Sequence, residues 1–130
     1  MKIGTVTNFA NAAGTVAIPV ASTGTVYTPT FEINGLEAIG VQVKLTSDGD
    51  AKVLVQLEHC MAEPTSEAAD TSNATIPDGF ADILDITDEL IHIKQINPVP
   101  AKYARFKLTG QGTNNASTTA TIKIFRQEQT

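Results

Sequence analysis

Apolar residues at every second position, repeated in four separate runs, constrain this chain more than any other feature. They are Val41, Val43 and Leu45; Val53, Val55 and Leu57; Phe106 and Leu108; and Ile122 and Ile124. A period of two places residues on one face of a strand and scatters them around a helix. These ten residues are the expected core. The Val, Ile and Thr around them suit a pleated, half-buried surface better than a helix. Ser47-Asp48-Gly49-Asp50 separates the first two runs, and its Asp-Gly step supplies the positive φ of a tight connection, so a β-hairpin is expected there. The last two runs, Tyr103-Ala104-Arg105-Phe106-Lys107-Leu108 and Ala120-Thr121-Ile122-Lys123-Ile124-Phe125, flank a loop of Gly, Asn, Ser and Thr and are expected to form the closing hairpin.

Upstream, Thr15-Val16-Ala17-Ile18 and Val26-Tyr27-Thr28-Pro29-Thr30-Phe31-Glu32-Ile33 read as further strands. Pro19 and Pro29 cannot donate to a ladder and belong at edges or strand starts. Leu90-Ile91-His92-Ile93-Lys94 alternates again, with His92 pointing away from the face that Ile91 and Ile93 share. Between Met61 and Phe80 the pattern is lost among Ala, Glu, Pro, Thr, Ser, Asp and Asn, which reads as a long surface loop and a candidate contact element at residues 62–79. Ile83, Ile86 and Leu90 fall at helical spacing, so residues 82–89 are ambiguous between helix and strand. The expected architecture is all-β: an antiparallel β-sandwich, jelly-roll-like or Greek-key, of about seven or eight strands. Residues 15–130 form its single domain, and the weakly patterned residues 1–14 are read as an N-terminal arm that could leave it.

The single cysteine, Cys60, has no partner for an internal disulfide, and Met1-Lys2-Ile3-Gly4 leads into alternating Thr and Val with no secretory pattern. Synthesis in a reducing cytoplasm and a soluble product are therefore expected, with no membrane span. The Asn73-Ala74-Thr75 and Asn115-Ala116-Ser117 sequons then read as polar loops. Net charge is −5, unevenly spread. Residues 54–93 hold nine acids (Glu58, Glu63, Glu67, Asp70, Asp78, Asp82, Asp85, Asp88, Glu89) and no Lys or Arg, which leaves the remainder at +4. Such segregation fits either a solvated acidic loop or a molecule that meets partners of opposite sign on two sides.

No catalytic, cofactor-binding or metal-binding residue is assigned. His59 and His92 are the only histidines, and both lie in expected strands. Cys60 follows His59, but neighbours on a strand face opposite ways, which defeats a Cys/His nucleophile. Glu58, His59 and Cys60 lack metal-ligand spacing. Asp48, Gly49 and Asp50 lack the remaining ligands of a calcium loop, and Asp78, Asp82, Asp85, Asp88 and Glu89 would need folding together to hold a cation. Phosphate-binding Gly loops are absent, and an acidic chain with few aromatics argues against nucleic acid. Tyr103, Arg105 and Lys107 share a strand face as a short basic stripe that could meet an acidic protein surface.

Phe31-Glu32-Ile33-Asn34-Gly35 followed by Ile39-Gly40-Val41-Gln42-Val43, the run from Pro98-Val99-Pro100-Ala101-Lys102 into Tyr103-Ala104-Arg105-Phe106, and the Thr-Gly-Gln-Gly-Thr-Asn-Asn segment at 109–115 resemble small β-sandwich structural proteins of tailed bacteriophages. The resemblance is to capsid decoration or cement proteins and related head or tail accessories. It spans about the last hundred residues, and no residue role is carried over from it. It implies a non-enzymatic protein without cofactor, made in the host cytoplasm and resident in the virion. The implied partners are the major capsid protein or another virion protein, with the chain a homo-oligomer. Carbohydrate-binding modules and discoidin-like domains share the style, so a sugar-binding β-sandwich is the alternative. With no Trp, that alternative rests on Tyr27, Tyr103 and a few Phe residues.

Overall fold

Two antiparallel sheets lie face to face in the computed structural model, and the alternating residues fill the space between them. The structure describes residues 3–9, 18–21, 24–33, 38–46, 51–64, 74–76, 84–88, 90–96, 102–112, 114 and 118–128. The first sheet holds β1 (Ile3–Asn8), β11 (Thr119–Glu128), β5 (Ala38–Thr46) and β9 (Ile91–Ile96) in that order, with β2 (Ile18–Pro19) also on β11. The second runs from β3 (Thr25–Tyr27) through β10 (Tyr103–Gly112) and β6 (Ala51–Cys60) to β7 (Ala74–Thr75). In it β4 (Phe31–Glu32) extends the β3 side and β8 (Leu84–Ile86) the β7 side. No helix occurs among the described residues.

The wiring is that of a jelly roll. With β1 and β2 taken as one position and β3 and β4 as another, the strands alternate between sheets at every step except that from β6 to β7 and β8, so the chain winds around the core and does not fold back beside itself. This corrects two expectations. β5 pairs with β11 and β9 while β6 pairs with β10, so the expected hairpin across residues 47–50 is a crossing between sheets. The expected closing hairpin is likewise a crossing, because β10 and β11 belong to opposite sheets. A hairpin and a crossing demand the same alternation, since each needs only one buried face per strand. Residues 47–50 themselves lie outside the described residues. The helix-or-strand ambiguity resolves as strand at β8, whose Ile86 is buried against β6.

All ten expected core residues are buried, none more than 1% exposed. Burying one such side chain stabilises by about 1.5–3 kcal/mol. Phe9, Phe31 and Phe106 close one end of the core, with ring centroids 5.3 to 5.9 Å apart. Within the stretch expected as an arm, Ile3–Asn8 forms β1 and is laddered along β11 from Glu128 to Lys123, and the Phe9 amide continues to the Ile122 carbonyl. Residues 10–14 lie outside the described residues.

The prolines sit where the missing donor costs least. Pro19 is in the two-residue edge strand β2. Pro29 interrupts the edge ladder on β10, splitting it into β3 and β4. Thr28 repairs the break: its amide donates to the Phe106 carbonyl (3.0 Å) and its Oγ1 accepts the Phe106 amide (2.9 Å). At the other end of β10, the Gly110 amide reaches the Gly24 carbonyl at 2.8 Å. A Cβ at Gly110 would come within 1.8 Å of the Ala21 carbonyl oxygen, so glycine is required by close backbone approach. The Asn114 carboxamide accepts from the Lys52 amide and donates to the carbonyls of Lys52 and Val20, tying the segment after β2 to β6.

Candidate functional site

The outward face of the second sheet is closed over its centre. Tyr103, Arg105 and Lys107 point outward from β10 as the alternation requires, but Arg105 is only 1% exposed. Register places it opposite Glu58 on β6, and its Nε donates to Glu58 Oε1 at 2.8 Å. The Tyr27 ring covers the guanidinium with its centroid 4.0 Å from Cζ, a cation–π contact in a largely water-free setting. Burial pushes the Tyr27 phenol above its ordinary 10.0; the Glu58 carboxylate adds to the rise and Arg105 opposes it. The phenol therefore stays protonated. The basic stripe read from the sequence is thus broken, because its central cation is committed inside the molecule.

Glu58, His59 and Cys60 end β6, all buried, with Glu58 and Cys60 on the outward face and His59 on the other. Burial lowers the His59 pKa below its ordinary 6.5, and a hydrogen bond with the Leu57 backbone works the other way. Asp78, Asp82 and Glu89 lie outside the described residues, as do Glu67 and Asp70. Asp85 is exposed on β8. Asp88 Oδ1 accepts the Leu90 amide (3.0 Å) and lies 2.7 Å from His92 Nε2, setting the turn into β9. Those bonds hold the Asp88 carboxyl below its ordinary 3.8, that to His92 first. Among the described residues no three of His, Cys, Asp and Glu are grouped to hold a metal ion.

The first sheet presents the opposite situation. Among the described residues β9 is an edge of this sheet, paired to β5 on one side. Register sets His92 and Lys94 opposite the core residues Val43 and Val41, and turns Ile91 and Ile93 outward beside Lys44 and Gln42. Ile91 is 56% and Ile93 70% exposed, and Leu90 at the head of the strand 69%. Phe125 on β11 adds a ring, 42% exposed, on the same outward face next to Gly40. Having no side chain, Gly40 leaves a notch between Phe125 and Gln95. Lys44 and Lys123 stand on this face as well. Large apolar groups gathered on one face are the mark of an interaction surface, whereas singly scattered ones are not.

The sequence indicated that Ile91 and Ile93 share a face without His92, and they do. Which face is buried follows from the pairing of β9 with β5, which has no local signal. The Tyr27–Arg105–Glu58 cluster was equally hidden, because it depends on the register of three strands distant in the chain. No protein-family model and no curated protein sequence matches this chain.

Proposed function

We propose that this chain is a non-enzymatic structural protein that binds and stabilises a tailed-phage capsid, as a decoration or cement protein or a related head or tail accessory. The observation that carries the reading is the set of exposed large apolar side chains on the outward face of the first sheet, Ile91 and Ile93 on β9 and Phe125 on β11, with Leu90 at the margin. Surface of this kind is costly in water and is offset when another protein covers it. The partner in this reading is the major capsid protein or another virion protein, and the chain resides in the virion after synthesis in the host cytoplasm. The phage assignment itself rests on the sequence resemblance.

Jelly rolls serve viral shells and lectins alike, so the fold leaves the choice to the surface. A sugar platform needs exposed rings beside hydrogen-bonding groups. Tyr27, Phe9 and Phe106 are buried and Tyr103 and Phe31 half-buried, which leaves Phe125 as the exposed ring among the described aromatics. That favours protein assembly over the carbohydrate-binding alternative. The test is co-sedimentation of the purified chain with intact phage shells, alongside a glycan array. Saturable binding to shells, weakened by Phe125→Asp, is the expected result. Binding to a glycan with none to shells would replace this reading by the lectin-like one.

A further inference from the structure

We propose that two copies of this chain pair through the outer edge of β9, antiparallel about a two-fold axis at His92, so that each first sheet continues into the other. The inference rests on the reading of the chain as an assembly protein, and it assigns part of that apolar surface to a second copy. The edge of β9 away from β5 pairs with no strand among the described residues. Natural edge strands are commonly guarded by proline, bulges or charged side chains, lysine above all, since an open ladder recruits other strands. From Ile91 to Ile96 there is no proline; the one formal charge, Lys94, is on the other face, opposite Val41, and the side chains turned outward begin with two isoleucines.

Charge and shape select the second copy and its direction. The strand has an acid at its start, Asp88, and a base near its end, Lys94. Antiparallel pairing brings these unlike ends together. A parallel arrangement would set like beside like, and stacking two first sheets face to face would oppose the Lys44 and Lys123 of each copy. With the axis at His92, Ile91 lies opposite Ile93 of the second copy, and the reverse pair repeats the contact. Lys94 then lies opposite Leu90 of the second copy and diagonal to its Asp88, so that unlike charges are neighbours across the joint. A two-fold interface makes each such contact twice. The Phe125 and Gly40 side of the face stays open, Gly40 one strand and Phe125 two strands in from the joint.

Sedimentation velocity on the purified full chain across a concentration range tests this without any shell. The wild-type protein is expected to be a reversible dimer. Ile91→Lys with Ile93→Lys should raise its dissociation constant on the order of a hundredfold, as for central apolar contacts of an interface, with an unchanged far-UV spectrum because both positions are exposed. Lys44→Glu should leave the dimer intact. Mixed Ile91→Cys and Ile93→Cys proteins should form a disulfide-linked heterodimer on oxidation, while either alone cross-links poorly. A wild-type monomer throughout the range overturns the proposal, as does a dimer that tolerates both lysines, or efficient cross-linking of one cysteine variant by itself. A monomer that still sediments with shells would remove the pairing and leave the assembly reading standing.

Discussion

Arg105 faces outward from β10 yet is buried, because Glu58 on the neighbouring strand accepts its Nε hydrogen at 2.8 Å and the Tyr27 ring lies over it. One charge comes from the acidic middle of the chain and the other from its basic remainder. The segregation read from the sequence is therefore partly answered within the molecule.

Breaking this pair should be far more harmful than replacing it. Glu58→Ala leaves a buried guanidinium without its carboxylate and should cost about 3–5 kcal/mol, whereas Glu58→Met with Arg105→Leu should recover most of the loss. Urea denaturation of the three proteins provides the comparison; a double variant no better than the single one would contradict the prediction.

Two glycines should behave oppositely. Gly110→Ala drives a methyl into the Ala21 backbone oxygen and should cost at least about 3 kcal/mol, the upper part of the range for overpacking. Gly40→Ala meets Phe125 Cβ at 3.9 Å, an ordinary contact, and should be neutral or stabilising by about 0.5–1 kcal/mol. Thermal melts of both variants check the contrast.

Core polarity should be punished at the expected positions. Val55→Asp places a carboxylate at a fully buried site facing the other sheet and should cost about 4 kcal/mol or more. Failure to recover folded protein, judged by far-UV circular dichroism, is the expected extreme.

Stability should fall on mild acidification. The pKa of His59 in the folded protein is below the ordinary 6.5, so the unfolded chain binds more protons as the pH drops through 6.5. The folded state thus loses stability from about pH 6.5 down to the lowered folded pKa, below which His59 adds no further slope. His59→Gln should flatten that part of the curve. Asp88, whose folded pKa is depressed, contributes stability that is present above 3.8 and is lost as the pH falls through its folded value. Denaturation midpoints from pH 8 to pH 3 separate the two effects, and a flat wild-type profile between pH 7 and 5 would contradict the His59 assignment.

The alternation of Val41 to Leu45 and of Val53 to Leu57 revealed strands and their buried faces, because burial acts on each strand locally. It did not reveal the partners of those strands. Asp48-Gly49 satisfies a hairpin turn and a crossing between sheets equally, and the choice lies in contacts such as Val43 with Ile122 and Val55 with Leu108, made late in the chain. Ile86 fits helical spacing on paper, but its pairing with Val53 holds it in a strand. For the surface, the alternation at Ile91 and Ile93 was visible and its outward sense was not. The burial of Arg105 came from a glutamate 47 positions away, which no short-range pattern encodes.

Calorimetry of intact shells with and without the purified chain measures the proposed stabilisation directly. A protein that binds only the assembled state must favour that state by linkage. The disruption temperature of the shell should rise with added protein and level off at saturation. An unchanged disruption temperature at saturating protein would contradict the proposed stabilisation.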